Sequence, residues 1–132
     1  MNNLRYPPNV QWEVTTECNH NCIHCYNYWR KDSEKIAGMT KFNSEEEYLR
    51  LAKKIIEQKP ISIVITGGEP LLVFDKIKSS IDLLLQQGIV VSINTNVALL
   101  DEDIAEYLKE RNIGLFVSFP CANADICNIF KF

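Results

Sequence analysis

The chain has 132 residues, 46% of them hydrophobic and 23% charged, which indicates a single domain of ordinary globular composition. Its net charge is −3 with both signs mixed along the chain, so it lacks the basic footprint of a nucleic-acid-binding protein. Because no apolar run approaches the roughly 20 residues of a membrane span and the first residues lack a signal-peptide core, we expect a cytoplasmic protein, without a membrane partner, whose five cysteines stay reduced.

The first two predicted elements are a strand and a helix. Residues 9–16 are rich in β-branched side chains and follow two prolines, which predicts a strand. Ser44 and Glu47 have the spacing of a capping box, which predicts the start of a helix over residues 44–58. Its apolar positions recur at helical spacing; they are Tyr48, Leu51, Ala52, Ile55 and Ile56.

Strands and helices then alternate. Three apolar runs predict further strands, at residues 61–66, 89–94 and 114–119. The first of them is apolar enough to be covered on both faces. Between the strands, a helix over residues 75–87 is predicted to end at Gly88, and Asp101 caps a helix that runs to about residue 111. The predicted inward positions are Ile77, Ile81, Leu84 and Leu85 in one helix and Ile104, Ala105 and Leu108 in the other.

This order of elements predicts an α/β fold, a parallel (βα) repeat with about four strands, in one domain over residues 1–132. In parallel sheets, ligands bind at the carboxyl ends of the strands. The last strand would leave an open apolar edge, which is an aggregation liability. We therefore expect that the chain is truncated at its C terminus, or that a partner covers this edge.

Three cysteines, Cys18, Cys22 and Cys25, follow the first predicted strand with the spacing CxxxCxxC. Three thiolates on one short loop suit a four-iron cluster held by three corners, with one iron left open for a small chelating ligand. Zinc is the alternative, because His20 and His24 lie in the same loop and could complete a tetrahedral site. Three free or buried thiols are a further interpretation, although so polar a loop is poor core material.

The second predicted strand ends in Gly67, Gly68 and Glu69, followed by a proline. Two glycines would let the backbone approach a ligand closely, and the Glu69 carboxylate could accept a charge-assisted hydrogen bond from an ammonium group of that ligand. The alternative is a tight turn after a strand, because glycine and proline are common turn residues.

Together, the cysteine spacing, the strand before it, the glycine-glutamate turn and the parallel alternation resemble the radical S-adenosylmethionine (radical SAM) superfamily, over residues from about 9 to 120. The resemblance implies an incomplete radical SAM partial barrel. It also implies that Cys18, Cys22 and Cys25 ligate a [4Fe–4S] cluster. The open iron of that cluster would be chelated by S-adenosylmethionine.

The resemblance also implies a set of cofactor-binding residues. It assigns the turn at residues 67–69 to the methionine amine of S-adenosylmethionine, and it places the backbone of His24 near the adenine. Ser118 matches a serine that commonly contacts this cofactor, and Asn96 is a further candidate at a strand end. For both, the alternative is a polar residue that forms a hydrogen bond at the end of a strand.

As a function, the resemblance implies a radical SAM oxidoreductase or maturase, with no side chain singled out as catalytic. In that family, the reduced cluster cleaves S-adenosylmethionine to methionine and a 5′-deoxyadenosyl radical, which takes a hydrogen atom from a substrate. The cysteine loop and the run from Val117 to Pro120 resemble the peptide- and protein-modifying (SPASM-type) group, so a peptide or protein substrate is expected. An electron donor such as flavodoxin or ferredoxin, and anaerobic chemistry, follow from the same resemblance.

The chain departs from the family pattern near its end. Phe119 and Pro120 replace the acidic residue that often follows the matched serine, and a later adenine-binding segment has no counterpart. The second hypothesis is therefore a non-catalytic metal-binding remnant, or a partner subunit that completes another chain's barrel. Cys121 and Cys127 are interpreted as small helix residues rather than as ligands of an auxiliary cluster.

Overall fold

The structure, a computed structural model, describes residues 7–27 and 44–118. The strands are β1 (Asn9–Thr15), β2 (Ser62–Gly67), β3 (Val90–Thr95) and β4 (Gly114–Val117), and the helices are α1 (Glu45–Glu57), α2 (Phe74–Gln86) and α3 (Glu102–Glu110). A 3-10 helix over Pro70–Val73, which was not predicted, precedes α2. The predictions for Cys121, Cys127 and the end of the last strand at residue 119 lie outside the described residues.

The four strands form one parallel sheet in the order β1-β2-β3-β4, which confirms the predicted α/β architecture. Parallel neighbours need long crossovers, and the last two crossovers carry α2 and α3. Because all four strands run in the same direction, their carboxyl ends meet at one edge of the sheet. None of the helices in the two described ranges is long and apolar enough to cross a membrane.

The hydrophobic core lies between the sheet and the helices. Ile63 and Ile65 of β2 and Ile93 of β3 are completely buried, in one cluster with the apolar side of α2. The neighbouring positions along these strands point to the opposite face, where Val64 and Ser92 are only half-buried. The sequence predicted that β2 is covered on both faces. The structure differs, because the helices of the described part of the chain pack on a single face of the sheet.

The predicted helix starts are confirmed by their hydrogen bonds. The backbone N–H of Glu47 donates to Oγ of Ser44 at 3.3 Å, and the backbone N–H of Ser44 donates to Oε2 of Glu47 at 3.1 Å. At α3, the backbone N–H of Ile104 donates to Oδ1 of Asp101 at 2.8 Å. These bonds satisfy donors that the first turn of a helix otherwise leaves without partners.

The inward face of α3 differs from the prediction at one position. Ile104 is half-buried and Leu108 buried, but Ala105 is exposed. Tyr107 takes its place, with its ring packed edge-on against Phe74 of α2 at 5.3 Å between centroids. The buried stripe therefore runs along positions 104, 107 and 108, and residue 105 lies to one side of it.

A bulge interrupts β1 where the strand approaches its carboxyl end. Glu13 pairs with Thr66 and Thr15 pairs with Gly67, so Val14 is an extra residue in the ladder. A bulge bends its strand and changes the direction of the chain that follows. The segment that follows here is the cysteine loop.

Tyr48 of α1 supports this bulge. Its buried hydroxyl group donates a hydrogen bond to the carbonyl of Val14 at 2.8 Å. Burial, followed by the negative charges of Glu47 and Glu17, raises the pKa of Tyr48. The phenol therefore stays protonated as a donor, and α1 holds the point at which β1 passes into the cysteine loop.

Candidate functional site

Every residue that the sequence assigned to a metal or a cofactor lines one open cavity of about 230 Å³ at the carboxyl edge of the sheet. These residues are Cys18, Cys22, His24, Cys25, Gly67, Gly68, Glu69, Asn96 and Ser118. Gly67 is the last residue of β2, and the others lie on the segments that follow the four strands. The parallel sheet therefore brings together residues that are as much as 100 positions apart (118 − 18).

The three cysteines are half-buried, and they form no disulfide within the described residues. The backbone N–H of Cys25 donates to the carbonyl of Cys22 at 3.3 Å, which closes a turn between these two residues. The backbone N–H of His20 lies 3.4 Å from Sγ of Cys18 and donates to it. The backbone N–H of His20 is therefore a hydrogen-bond donor to the sulfur of the first cysteine in the motif.

In the two described ranges, no three His, Cys, Asp or Glu side chains converge closely enough to hold a single metal ion. The tetrahedral zinc alternative needs four ligands around one ion, and that set is not assembled there. A four-iron cluster distributes its cysteine ligands over separate iron atoms. Both groups require the three thiols to lie at one cavity, and Cys18, Cys22 and Cys25 all line the same one.

The turn after β2 packs against the start of the cysteine loop. The backbone N–H groups of Gly68 and Glu69 donate to the carbonyls of Thr15 and Glu17, each at 2.7 Å. A Cβ atom on Gly67 would lie 2.3 Å from the Thr15 oxygen, and one on Gly68 would lie 1.9 Å from the Glu17 oxygen. The sequence offered ligand approach or a tight turn as the reason for these glycines, and the close approach of the chain's own backbone already requires both of them.

Glu69 is also engaged within the chain. It is only 1% exposed, and its Oε1 accepts hydrogen bonds from the backbone N–H of Leu71 at 3.1 Å and from Oγ1 of Thr95 at 2.6 Å. Its Oε2 accepts one from the backbone N–H of Asn96 at 2.8 Å. The carboxylate thus joins the ends of β2 and β3, and Oε2 keeps acceptor capacity toward the cavity that Glu69 lines.

Two asparagines fasten the cysteine loop to the strand ends. Nδ2 of Asn96 donates to Oδ1 of Asn19 at 2.8 Å and lies 3.9 Å from Sγ of Cys18. At the other end of the loop, Nδ2 of the buried Asn27 donates to the carbonyl of Gly67 at 3.0 Å. The loop is therefore held on both sides of its three cysteines.

Sequence reasoning missed Asn19 and Asn27, together with Thr95. Asparagines in a polar loop resemble solvated residues, and the partner of Asn27 lies 40 positions away in the sequence. For the two asparagines, the available signal was their place beside the cysteines in the sequence, because Asn19 follows Cys18 and Asn27 lies two residues after Cys25.

The remaining two predicted cofactor residues are exposed at the rim of the cavity. Ser118 follows β4, its backbone N–H donates to the carbonyl of Thr95 at 2.9 Å, and its Oγ donates to Oδ1 of Asn94 at 3.4 Å. His24 lies in the cysteine loop and lines the same cavity. Their roles toward a cofactor stay predictions.

A parallel α/β sheet with three cysteines and a glycine-glutamate turn at its carboxyl edge defines a class of domain suited to a metal cluster and a small ligand. A sequence profile of the Radical SAM superfamily matches residues 12–131. The chain therefore belongs to the radical SAM superfamily, and its four-stranded sheet is part of a radical SAM barrel. The resemblance inferred from the sequence is confirmed.

Individual relatives agree with this assignment. The chain is 32% identical over 130 residues to the radical SAM cyclopropyl synthase TigE of Paramaledivibacter caminithermalis, with 86% of this chain and 27% of TigE covered. It is 25% identical over 132 residues to AlbA of Bacillus subtilis, an antilisterial bacteriocin subtilosin biosynthesis protein, with 98% of this chain and 28% of AlbA covered.

Solved structures show the same fold. Streptococcus suis SuiB, bound to its precursor peptide SuiA, superposes with a TM-score of 0.74 at 21% identity, covering 93% of this chain and 26% of SuiB. At that identity, the similarity to SuiB is a similarity of fold. The chain spans 27–36% of the length of the first curated relatives that it matches.

Proposed function

We propose that this chain holds a [4Fe–4S] cluster on Cys18, Cys22 and Cys25 and binds S-adenosylmethionine in the adjoining cavity. The observation that carries the proposal is that the three thiols and the turn at residues 67–69 line one cavity although they lie on separate segments. The cluster and S-adenosylmethionine, when bound, supply a reductive cleavage that yields a 5′-deoxyadenosyl radical. The protein supplies binding, orientation and exclusion of water.

Hydrogen bonds hold the cysteine loop in place beside the cavity. The N–H of His20 donates to the sulfur of Cys18, and the turn that joins Cys22 to Cys25 sets the spacing of the other two ligands. Asn27 anchors the end of the loop to Gly67, so that the thiols keep their place beside the turn after β2. A site held in this way needs little reorganisation when the cluster is assembled.

In this proposal, S-adenosylmethionine lies along the carboxyl ends of the strands. Its ammonium group would meet Oε2 of Glu69, whose carboxylate is already fixed by Leu71, Thr95 and Asn96. The adenine would lie by the backbone of His24, and Ser118 would contact the cofactor from the end of β4. Glu69, His24 and Ser118 all line the cavity.

We infer that the chain belongs to a radical SAM oxidoreductase or maturase that acts on a peptide or protein. In this proposal the enzyme works in the cytoplasm and receives electrons from a donor of the flavodoxin or ferredoxin type. The support for a peptide is the relationship to AlbA, which takes part in the biosynthesis of a bacteriocin. The chain covers 28% of the length of AlbA.

The test is an anaerobic assay of the full 132-residue chain. The chain is reconstituted with iron and sulfide, reduced and mixed with S-adenosylmethionine, and 5′-deoxyadenosine is measured alongside the EPR signal of the reduced cluster. We expect 5′-deoxyadenosine to form and to be lost in Cys22→Ala. The matched control is a variant with both Cys121→Ala and Cys127→Ala, which should keep the iron, the sulfide and the EPR signal.

Other outcomes identify the competing hypotheses. A reduced cluster whose EPR signal ignores S-adenosylmethionine, with no cleavage, would support the metal-binding remnant or partner subunit. Bound zinc without sulfide would support the zinc site and contradict the cluster. Full iron content in Cys22→Ala would remove Cys22 from the ligand set.

A further inference from the structure

We infer that Asn96 is a positioning residue for Cys18, an inference that rests on the proposed cluster site. Its side-chain amide holds the start of the cysteine loop on the end of β3 and donates toward the Cys18 sulfur. The consequence is a higher reduction potential for a cluster ligated by that sulfur.

The backbone of Asn96 is anchored to a buried charge. Its N–H donates to Oε2 of Glu69 at 2.8 Å, and Glu69 is 1% exposed. A charge-assisted hydrogen bond in a buried place is stronger than one at the surface. The end of β3 is thereby fixed relative to the turn after β2.

The amide direction of Asn96 follows from its own turn. Its Oδ1 accepts a hydrogen bond from the backbone N–H of Ala98 at 2.9 Å. Because that N–H group can only donate, the oxygen must face Ala98 and the Nδ2 group must face the cysteine loop. There Nδ2 donates to Oδ1 of Asn19 at 2.8 Å and lies 3.9 Å from Sγ of Cys18.

The residue after Asn96 is strained. Val97 has a φ of +56°, a conformation that a β-branched residue rarely adopts. Its backbone N–H donates to Oγ1 of Thr95 at 3.0 Å, which helps to hold this conformation. Backbone strain of this kind persists where surrounding contacts hold the residue in its conformation, and it is common at functional sites. The strained turn keeps Asn96 directed at the cysteine loop.

Cys18 thus has two N–H groups directed at its sulfur. The backbone N–H of His20 donates at 3.4 Å, and Nδ2 of Asn96 approaches from the β3 side at 3.9 Å. Hydrogen bonds to cysteine sulfurs raise the reduction potential of an iron–sulfur cluster, because they stabilise the more negative reduced state. Both the oxygen and the nitrogen of the Asn96 amide are used in this arrangement.

The experiment compares three variants of the full 132-residue chain: Asn96→Ala, Asn96→Asp and the control Asn94→Ala. Asn94 lines the same cavity, and its side chain bonds to Ser118 rather than to the cysteine loop. Each protein is reconstituted anaerobically and assayed for iron and sulfide. Its midpoint potential is then measured by EPR-monitored titration without S-adenosylmethionine.

We expect Asn96→Ala to shift the equilibrium about tenfold toward the oxidised cluster, which corresponds to about 59 mV for a one-electron couple. Asn96→Asp should shift it further in the same direction, because a carboxylate replaces the donor beside the sulfur. The introduced carboxylate could still accept a hydrogen bond from Asn19 after rotation of the Asn19 amide, so this variant keeps the loop attached. Asn94→Ala should keep the wild-type potential.

Equal potentials in the wild type and both Asn96 variants, at equal iron content, would overturn the inference and leave the proposed function standing. An equal shift of the midpoint potential in Asn94→Ala would also overturn the inference, because the potential would then depend on the polarity of the cavity and not on a donor to Cys18. If the wild type assembles no cluster, the proposed function fails and the inference fails with it. If folded Asn96 variants assemble no cluster while Asn94→Ala does, the positioning of Cys18 by Asn96 is supported.

Discussion

Gly68 shows how a single missing side chain decides whether two segments can meet. The backbone N–H groups of Gly68 and of Glu69 bond to the segment that leads into the cysteines. A Cβ atom on Gly68 would lie 1.9 Å from the carbonyl oxygen of Glu17 and 2.5 Å from its carbon, and backbone cannot move aside as a side chain can. This clash explains why residue 68 is a glycine even without a bound ligand.

Gly68→Ala should therefore destabilise the fold by about 1–3 kcal/mol, the range of an overpacked site. The matched control is Gly88→Ala, where a Cβ meets nothing within 4 Å and the cost comes from a φ of +75°. That control should lose about 1 kcal/mol. Urea denaturation of both variants measures the difference, and equal losses would mean that the packing of residue 68 against residue 17 is unimportant.

Glu69→Gln tests the buried carboxylate. The glutamine oxygen can keep the bonds from Leu71 and Thr95, but its amide NH₂ would face the N–H of Asn96, so two donors would meet. We expect a loss of about 1.5–3 kcal/mol in the free energy of unfolding, the usual range for a hydrogen bond to a charged group. Urea denaturation measures this loss, and wild-type stability in Glu69→Gln would show that Oε2 does not hold the end of β3.

At the scale of elements, α1 acts on the site through the bulge in β1. The extra residue, Val14, leaves a carbonyl that Tyr48 satisfies from the helix. Trp12 on the same strand packs against Tyr48, with 6.1 Å between the ring centroids. A helix that contributes no side chain to the cavity thereby sets the direction of the cysteine loop.

Tyr48→Phe removes this hydrogen bond and leaves the ring in place. Since the Val14 carbonyl would lose its buried donor, we expect the free energy of unfolding to fall by about 1–3 kcal/mol. Thermal unfolding followed by circular dichroism measures the change. Wild-type stability in Tyr48→Phe would contradict the role assigned to the hydrogen bond at the bulge.

The packing of α3 on α2 should depend on pH. The hydroxyl of Tyr107 donates to Oδ1 of Asp82 at 3.0 Å, and burial, followed by that bond and the charge of Asp82, raises the pKa of Tyr107. A raised pKa in the folded state means that the unfolded chain loses this proton first. The stabilisation that the protonated Tyr107 hydroxyl contributes is complete below the ordinary tyrosine pKa of about 10. It is lost as the pH rises toward the pKa of Tyr107 in the folded chain.

The measurement is the free energy of unfolding at about pH 8 and about pH 11, on either side of the ordinary tyrosine pKa. Stability should fall at the higher pH, and the fall should be smaller in Tyr107→Phe because that variant has no phenol to titrate at residue 107. An identical fall in the wild type and Tyr107→Phe would assign the pH dependence to other groups.

For the molecule as a whole, the sheet edge at β4 is a prominent exposed apolar feature. Phe116 is 57% exposed and Val117 is 47% exposed, on a strand that pairs with β3 alone among the described strands. Exposed apolar edge strands offer unpaired backbone groups to other chains. The open edge that the sequence predicted for the last strand is therefore present in the described part of the fold.

Phe116→Lys should reduce concentration-dependent association of the chain, measured by sedimentation velocity or light scattering. The control is Val90→Lys, because Val90 is 58% exposed but lies on β3, which has neighbours on both sides. A positive charge at the edge opposes pairing, whereas one at β3 removes only apolar surface. Equal effects of the two substitutions would mean that apolar surface, and not the edge, drives association.

The sequence by itself determined the alternation of elements, the helix caps and the identity of the motif residues. These depend on local spacing, as the reciprocal bonds of Ser44 and Glu47 and the cap at Asp101 show. Caps and turns mark the ends of these elements, which is why the helix starts could be predicted closely. Ala105 was placed inward wrongly, since a helix stripe is centred by its neighbour α2 and not by its own sequence.

The tertiary structure alone decided what the motif residues do to one another. Parallel strands placed Glu69 within reach of Thr95 and Asn96, and Asn27 within reach of Gly67, which are contacts across 26, 27 and 40 positions. No local pattern encodes such pairs, because hydrogen bonds across a sheet depend on strand order and register. Sequence chemistry therefore indicated which residues would meet in one cavity, and only the packing of β1, β2 and β3 showed how these residues hold one another in place.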